Sequence, residues 1–141
     1  GSGGASSLVS TANSQLNKGD FKNAEQTLHE AASAAQDDQE LMEVLPKQAL
    51  VYEQSGKFAK AQESWTKLKD LQEKHSAKAT DIARSKAEIA ENMLEQNDLD
   101  GAMPLLSQAE KTLSAAPAKD NEGLAGVWSA LSKAALKQGD Y

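Results

Sequence analysis

The sequence predicts an all-α protein built from successive antiparallel helical hairpins, and three observations support this prediction. A short turn phrase occurs four times, as Gly19-Asp20-Phe21, Gly56-Lys57-Phe58, Asn97-Asp98-Leu99 and Gly139-Asp140-Tyr141. The copies are separated by 37, 41 and 42 residues, a spacing typical of helical repeat arrays. Between them, apolar residues recur every three or four positions, and no run alternates as a strand would.

The length and composition fit one globular domain. The chain has 141 residues, of which 39% are hydrophobic and 26% charged, and it is long enough to bury a core without disulfides or metal. It has no cysteine, which excludes disulfides and thiolate chemistry. The formal net charge of -6 argues against a nucleic-acid partner. No apolar run approaches the ~20 residues that cross a bilayer, and the compartment is left open.

The first three predicted helices span residues 5–17, 21–36 and 39–55. Their apolar side chains advance by three or four positions, so each set forms a stripe on one helix face. The first segment has the weakest pattern. The anchors are Leu8, Ala12 and Leu16 in the first helix, Phe21, Ala24, Leu28, Ala31 and Ala35 in the second, and Leu45, Ala49 and Tyr52 in the third.

The other four predicted helices span residues 58–75, 78–96, 99–115 and 120–138. Trp65 and Trp128 both lie within apolar stripes, which favours packing in the core over ligand stacking. The anchors are Phe58, Ala61, Trp65 and Leu68, then Ile82, Ile89, Ala90 and Met93, then Leu99, Ala102, Leu106, Ala109 and Leu113, and finally Trp128, Leu131, Ala135 and Leu136.

The turn residues predict how the helices end and begin. Glycine, or asparagine in the third copy, allows the positive φ that closes a helix. Asp20 and Asp98 can then cap the next helix by accepting a hydrogen bond from its first free amides. Pro46 leaves two alternatives: the third helix begins near Leu45, or it bends after a turn at residues 39–44. Pro104 falls near the start of the sixth helix, where it is tolerated.

The second repeat carries the residues on which a family resemblance depends: Ala49, Tyr52, Gly56, Phe58, Ala61 and Trp65. In this spacing they resemble the tetratricopeptide repeat, and the period near 40 residues is similar to the variant found in kinesin light chains. The repeats are then about 5–37, 38–77 and 78–117, with a half repeat at 118–141. They form a single domain over residues 5–141, preceded by a tag or linker remnant at residues 1–4.

The resemblance implies a right-handed superhelical α-solenoid whose first helices line a concave groove that binds a peptide or helix of a partner protein. The residues it assigns to this groove are Asn13, Lys47, Glu53, Arg84, Glu88, Glu91 and Lys133. One subclass grips a C-terminal carboxylate with five polar residues. Asn13 and Arg84 match two of those positions, whereas Val9, Lys47 and Glu88 stand at the other three, so this clamp is not predicted.

No catalytic constellation is present in the sequence. His29 and His75 lie alone on separate predicted helices, and no phosphate-binding glycine loop, zinc-protease motif or nucleophile elbow occurs. We therefore expect no enzyme activity, no metal and no cofactor. An acidic cluster that includes Asp37 and Glu40 is predicted to cap the third helix rather than hold a cation.

A row of lysines lies along the fourth predicted helix and its extension. Its members are Lys60, Lys67, Lys74 and Lys78. Favourably spaced acidic residues lie four positions before two of them, so a solvated face is favoured over a polyanion site.

The sequence therefore predicts a non-catalytic scaffold that binds a protein or peptide, without nucleic acid or membrane insertion. One alternative is a module that stacks on a second copy through an apolar end face around Trp128, Leu131 and Leu136. Another is an accessory domain of a larger enzyme or of a secretion or assembly machine.

Overall fold

The computed structural model describes residues 3–116 and 120–139, which form seven α-helices and turns, with no strand in these two ranges. The predicted all-α fold and the number of helices are confirmed. The helices are α1 (Gly3–Asn17), α2 (Phe21–Ala34), α3 (Asp38–Gln54), α4 (Phe58–Lys74), α5 (Ala79–Glu95), α6 (Leu99–Ala115) and α7 (Asn121–Lys137).

Three of the turns close as the sequence predicts. Gly19, Gly56 and Asn97 have φ values of 76°, 74° and 65°. The amide after each of them donates to a carbonyl five residues earlier, over 2.9, 2.7 and 2.8 Å. Gly139 also has positive φ, at 77°, whereas Asp140 and Tyr141 of the fourth copy lie outside the described residues. The positive φ and the returning hydrogen bond end each helix and let the chain reverse.

A further turn of this type, which the sequence did not reveal, joins α4 to α5. Ser76 has a φ of 53°, and the amide of Ala77 donates to the carbonyl of Gln72 over 2.8 Å. Serine has a Cβ, so it adopts this left-handed conformation only at a cost, which glycine avoids.

We expect Ser76→Gly to raise the free energy of unfolding by up to about 1 kcal/mol, because relief of the left-handed backbone exceeds the added freedom of the unfolded chain. Urea unfolding followed by circular dichroism measures this change. Ser55→Gly is the matched control, since Ser55 caps α3 with an ordinary φ of -93°. That control is expected to lose stability. Equal effects of the two substitutions would contradict the assignment of strain to Ser76.

Aspartates cap four of the helices. Asp20, Asp37, Asp98 and Asp120 each accept a hydrogen bond from the amide three residues later, over 3.4, 2.9, 2.9 and 3.0 Å. These bonds satisfy one of the donors that every helix start leaves free. The predicted caps at Asp20 and Asp98 are confirmed, as is the capping role of Asp37.

Pro46 lies inside α3, which runs without interruption from Asp38 to Gln54. Both predicted alternatives are therefore wrong, since the helix does not begin near Leu45 and residues 39–44 are helical rather than a preceding turn. Proline has no amide hydrogen, so the carbonyl of Met42, four residues earlier, lacks the donor that another residue at position 46 would provide. Pro104 lies inside α6, which begins at Leu99, and it likewise removes one bond near the helix start.

The chain divides into two compact units, residues 1–71 and 72–141, with the boundary near the end of α4. In the first unit, α1, α2 and α3 pack on one another. Alanines at the contacts let the helix backbones approach closely. The buried core of this unit includes Ala12, Ala24, Leu28, Ala31, Val44 and Val51.

In the second unit α5, α6 and α7 pack on one another in the same manner. Trp65 of the first unit is 8% exposed, as predicted, whereas Trp128 of the second is 47% exposed, so the prediction of a core position for Trp128 is wrong. Its indole lies at the surface, where Nε1 donates to Glu110 over 2.8 Å. The core of this unit includes Leu94, Ala102, Leu106, Leu113, Leu124 and Val127.

Candidate functional site

A cavity of about 470 Å³ lies between α1 and α3 in the first unit. These are the first helices of two neighbouring hairpins, the elements that the sequence assigned to a groove. We call this space the α1/α3 cavity. Its lining residues are Ala5, Ser6 and Val9 from α1, and Glu40, Met42, Glu43, Val44, Pro46 and Lys47 from α3.

The α1/α3 cavity combines apolar walls with a few polar groups. Val9, Met42 and Pro46 are all half-buried, so apolar surface is exposed at the cavity without being fully open to solvent. Lys47 is half-buried and Glu43 exposed, which leaves both charges able to meet a bound group. The arrangement of apolar walls and few polar residues is the usual composition of a binding pocket.

Met42 and Pro46 are four positions apart on α3, and both line the α1/α3 cavity. Because Pro46 has no amide hydrogen, the carbonyl of Met42 lacks its usual donor within the helix.

A second cavity of about 120 Å³ lies between α5 and α7 in the second unit, again between first helices of neighbouring hairpins. We call it the α5/α7 cavity. Three of the predicted groove residues line it, all from α5. The full lining is Arg84, Ala87, Glu88, Glu91, Glu122, Gly123 and Gly126.

Arg84 already has a partner within the chain. Its guanidinium donates from Nε and Nη2 to the two carboxylate oxygens of Asp120, over 2.5 and 2.6 Å. Asp120 is also the cap of α7, and the hydrogen bond from Arg84, followed by that from the Gly123 amide, lowers the pKa of its carboxyl group below the ordinary value. This pair ties α5 to the start of α7, so the arginine is engaged before any ligand arrives.

Three other predicted groove residues lie outside both cavities. Asn13 is exposed on α1. Glu53 accepts a hydrogen bond from the indole of Trp65 over 2.9 Å, and Lys133 pairs with Glu95 over 3.8 Å. Glu53 and Lys133 therefore already have partners within the chain.

The structure thus brings Lys47, a predicted groove residue, together with Val9, Met42 and Pro46, which the sequence does not predict as ligand contacts. One feature of the sequence could have indicated these contacts. Apolar residues lie on the face of the first and third helices that the resemblance assigns to the groove. Val9 stands where the carboxylate-binding subclass has a polar residue.

The remaining candidates for chemistry are dispersed. His29 and His75 are exposed, and the described residues contain no group of three or more potential ligands that could hold a metal ion. None of the helices in residues 3–116 and 120–139 is long and apolar enough to cross a membrane. Lys60, Lys67, Lys74 and Lys78 are all exposed, and α4 ends at Lys74, so the fourth of these lysines lies beyond the helix.

Comparison with solved structures shows which known folds this one resembles. The N-terminal domain of stress-induced protein-1 from C. elegans matches with a TM-score of 0.71 and 19% identity, over 92% of this chain and 96% of that one. The TPR2AB domain of yeast Sti1, in complex with pHSP90, matches with a TM-score of 0.72 and 16% identity, over 99% of this chain and 50% of that one.

A putative kinesin light chain from Podosopora anserina, described as having nearly identical TPR-like repeats, matches with a TM-score of 0.73 and 18% identity, over 94% of this chain and 66% of that one. The chain therefore has a tetratricopeptide-like fold, as the sequence predicts. A scan against protein-family models found no match, and a search of curated proteins found no significant similarity.

Proposed function

We propose that this chain is a non-catalytic interaction domain that binds a peptide segment of a partner protein, with an apolar side chain of the peptide in the α1/α3 cavity. The observation that carries the proposal is the cavity itself, which lies between first helices and has apolar walls and a lysine. One protein of similar fold is described in complex with pHSP90, which supports peptide recognition by this architecture.

The dimensions of the α1/α3 cavity suit one large apolar side chain together with part of its backbone. Its volume of about 470 Å³ lies within the range of roughly 300–1,000 Å³ that is typical of ligand pockets. Methionine is flexible and polarizable, so Met42 can adapt to leucine, methionine or an aromatic residue. Lys47 can pair with an acidic residue next to the apolar anchor, whereas Glu40 and Glu43 on the same lining favour a basic residue elsewhere in the peptide.

Arg84 is assigned a supporting role in this proposal rather than contact with the partner's charge. Its guanidinium is held by both oxygens of Asp120, so binding a carboxylate would require that pair to open. Glu88 and Glu91 line the α5/α7 cavity and remain predicted partner contacts.

We expect linear peptides selected from a random display library to bind with micromolar affinity, about -8 kcal/mol. Fluorescence anisotropy of a labelled peptide measures the dissociation constant. Val9→Glu introduces a charge into the apolar wall and is expected to weaken binding about tenfold or more. Lys47→Glu is expected to weaken the binding of those peptides that carry an acidic residue beside the apolar anchor.

The matched control for Lys47→Glu is Lys67→Glu, a charge reversal at an exposed residue of α4 outside the cavity. The affinity of the Lys67→Glu variant for the peptide is expected to equal that of the unchanged protein. Selection of no peptide, or unchanged affinity in Val9→Glu with native circular dichroism, would overturn the proposal.

Self-stacking remains a prediction. Trp128 and Leu136 are 47% and 66% exposed on α7, which leaves apolar surface there, although the Trp128 indole donates to Glu110. The role of accessory domain in a larger enzyme or assembly machine also remains a prediction.

A further inference from the structure

A third cavity, of about 310 Å³, lies in the first unit and is lined entirely by polar and charged side chains. It is formed by α2, the end of α3 and the beginning of α4, and it shares no lining residue with the α1/α3 cavity. We call it the lysine cavity. Its lining residues are Lys22, Glu25, Gln26, His29, Tyr52, Lys57 and Lys60.

The local fold explains why these side chains converge. Lys22, Glu25, Gln26 and His29 are three or four positions apart on α2, so they share one face of that helix. Lys57 lies in the short turn between α3 and α4, and the turn brings it beside this face. Its ammonium group contacts both carboxylate oxygens of Glu25, over 2.8 and 2.9 Å.

The lysine cavity has a positive charge in an acidic chain. Its three lysines and one glutamate give +2, with His29 neutral, whereas the whole chain has a net charge of -6. Only Lys57 is neutralised by an ion pair. Among the described residues, Lys22 and Lys60 have no carboxylate partner, and the ammonium of Lys60 lies 5.8 Å from the centre of the Tyr52 ring.

Tyr52 adds a neutral hydrogen-bond donor to this arrangement. It is half-buried. Burial, and secondarily the charge of Glu25, raises the pKa of its phenol above the ordinary value. A phenol is protonated at neutral pH even at its ordinary pKa of about 10, so Tyr52 is able to donate to a bound oxygen.

We propose that the lysine cavity binds a phosphate monoester. Lysine ammonium groups act as compact point charges that suit a phosphate dianion, whereas planar recognition of a carboxylate favours the arginine fork, and no arginine lines the cavity. The volume exceeds that of a phosphate group alone, so the cavity also holds part of the group to which the phosphate is attached. Lys22 and Lys60 provide the free charges, and Lys57 is shared with Glu25.

The phosphate belongs either to a phosphorylated side chain of a partner or to a small phosphorylated molecule, and the probes distinguish these sources. The probes are glycerol phosphate, a short alanine–glycine peptide with a central phosphoserine, and the same peptide with serine. Calorimetric titration at fixed ionic strength measures each affinity. Tighter binding of the phosphopeptide than of glycerol phosphate assigns the site to a partner protein, and equal binding assigns it to a small molecule.

We expect the phosphopeptide to bind about tenfold or more tightly than its serine twin, because the dianion meets two uncompensated ammonium groups. Lys22→Gln and Lys60→Gln are each expected to weaken this binding several-fold. Lys67→Gln, which removes an exposed charge of α4 outside the cavity, is the matched control and is expected to leave it unchanged. Raising chloride from about 50 to 200 mM is expected to weaken binding as well.

Equal affinity for the phosphorylated and unphosphorylated peptides, together with no binding of glycerol phosphate, would overturn the proposal. An equal loss of phosphate binding in Lys67→Gln and Lys60→Gln would overturn it as well. Lys22 and Lys60 are both exposed, so neither substitution is expected to impair folding, and circular dichroism verifies this. Since Val9 does not line the lysine cavity, Val9→Glu should leave phosphate binding intact. Failure of the α1/α3 proposal is thereby distinguished from failure of this one.

Discussion

Replacing Trp65 with alanine is expected to lower the free energy of unfolding by about 3–5 kcal/mol, since the substitution empties a large buried volume that the surrounding helices fill only in part. Trp65 is 8% exposed. The substitution also removes the hydrogen bond that the Trp65 indole donates to Glu53. The change is measured by urea unfolding followed by far-ultraviolet circular dichroism, which does not depend on the removed fluorophore.

Trp128→Ala is the matched control because it makes the same chemical change at a residue that is 47% exposed. Its expected cost is about 1–2 kcal/mol, in proportion to the smaller apolar area that it buries. If the two alanine variants lost equal stability, the assignment of one tryptophan to the core and the other to the surface would be wrong.

Leu106→Ala is expected to destabilise the second unit by about 2–5 kcal/mol. Leu106 is fully buried in α6, where it belongs to the cluster formed with α5 and α7. A unit of about 70 residues has a small margin of stability, so a loss of this size is a large part of the total. The expected result is a clear shift of the urea midpoint or an early loss of helicity.

The control for this prediction is Leu136→Ala on α7, since Leu136 is 66% exposed. A surface truncation is expected to change stability by no more than about 0.5 kcal/mol. A comparable loss in Leu136→Ala would instead show that a second copy or another segment covers this leucine.

The periodic features of the fold could be predicted from the sequence, but several local ones could not. Glycine and asparagine identify turns because they favour positive φ, whereas Ser76 adopts the same geometry without that chemical signal. Pro46 suggested an interruption, yet α3 continues through it because tertiary packing outweighs local preference. A helical stripe shows which face is apolar but not whether another element covers it, which explains the error at Trp128.

The candidate site was predictable only in part, for a similar reason. The resemblance placed Lys47, Arg84, Glu88 and Glu91 on first helices, and all four line cavities there. Local sequence does not report partners that are distant along the chain, so the pairing of Arg84 with Asp120, 36 residues later, could not be foreseen. The lysine cavity likewise depends on a turn that brings Lys57 to the face of α2.

Amide chemical-shift mapping tests most directly whether the α1/α3 cavity is where a partner peptide binds. The nitrogen-15-labelled protein is titrated with a peptide selected from the library. The largest shift changes are expected at Val9, Met42 and Lys47, with little change on the face of α2 that contains Lys22. Saturable changes centred on any other helices, with Val9 and Met42 unaffected, would contradict peptide binding in this cavity.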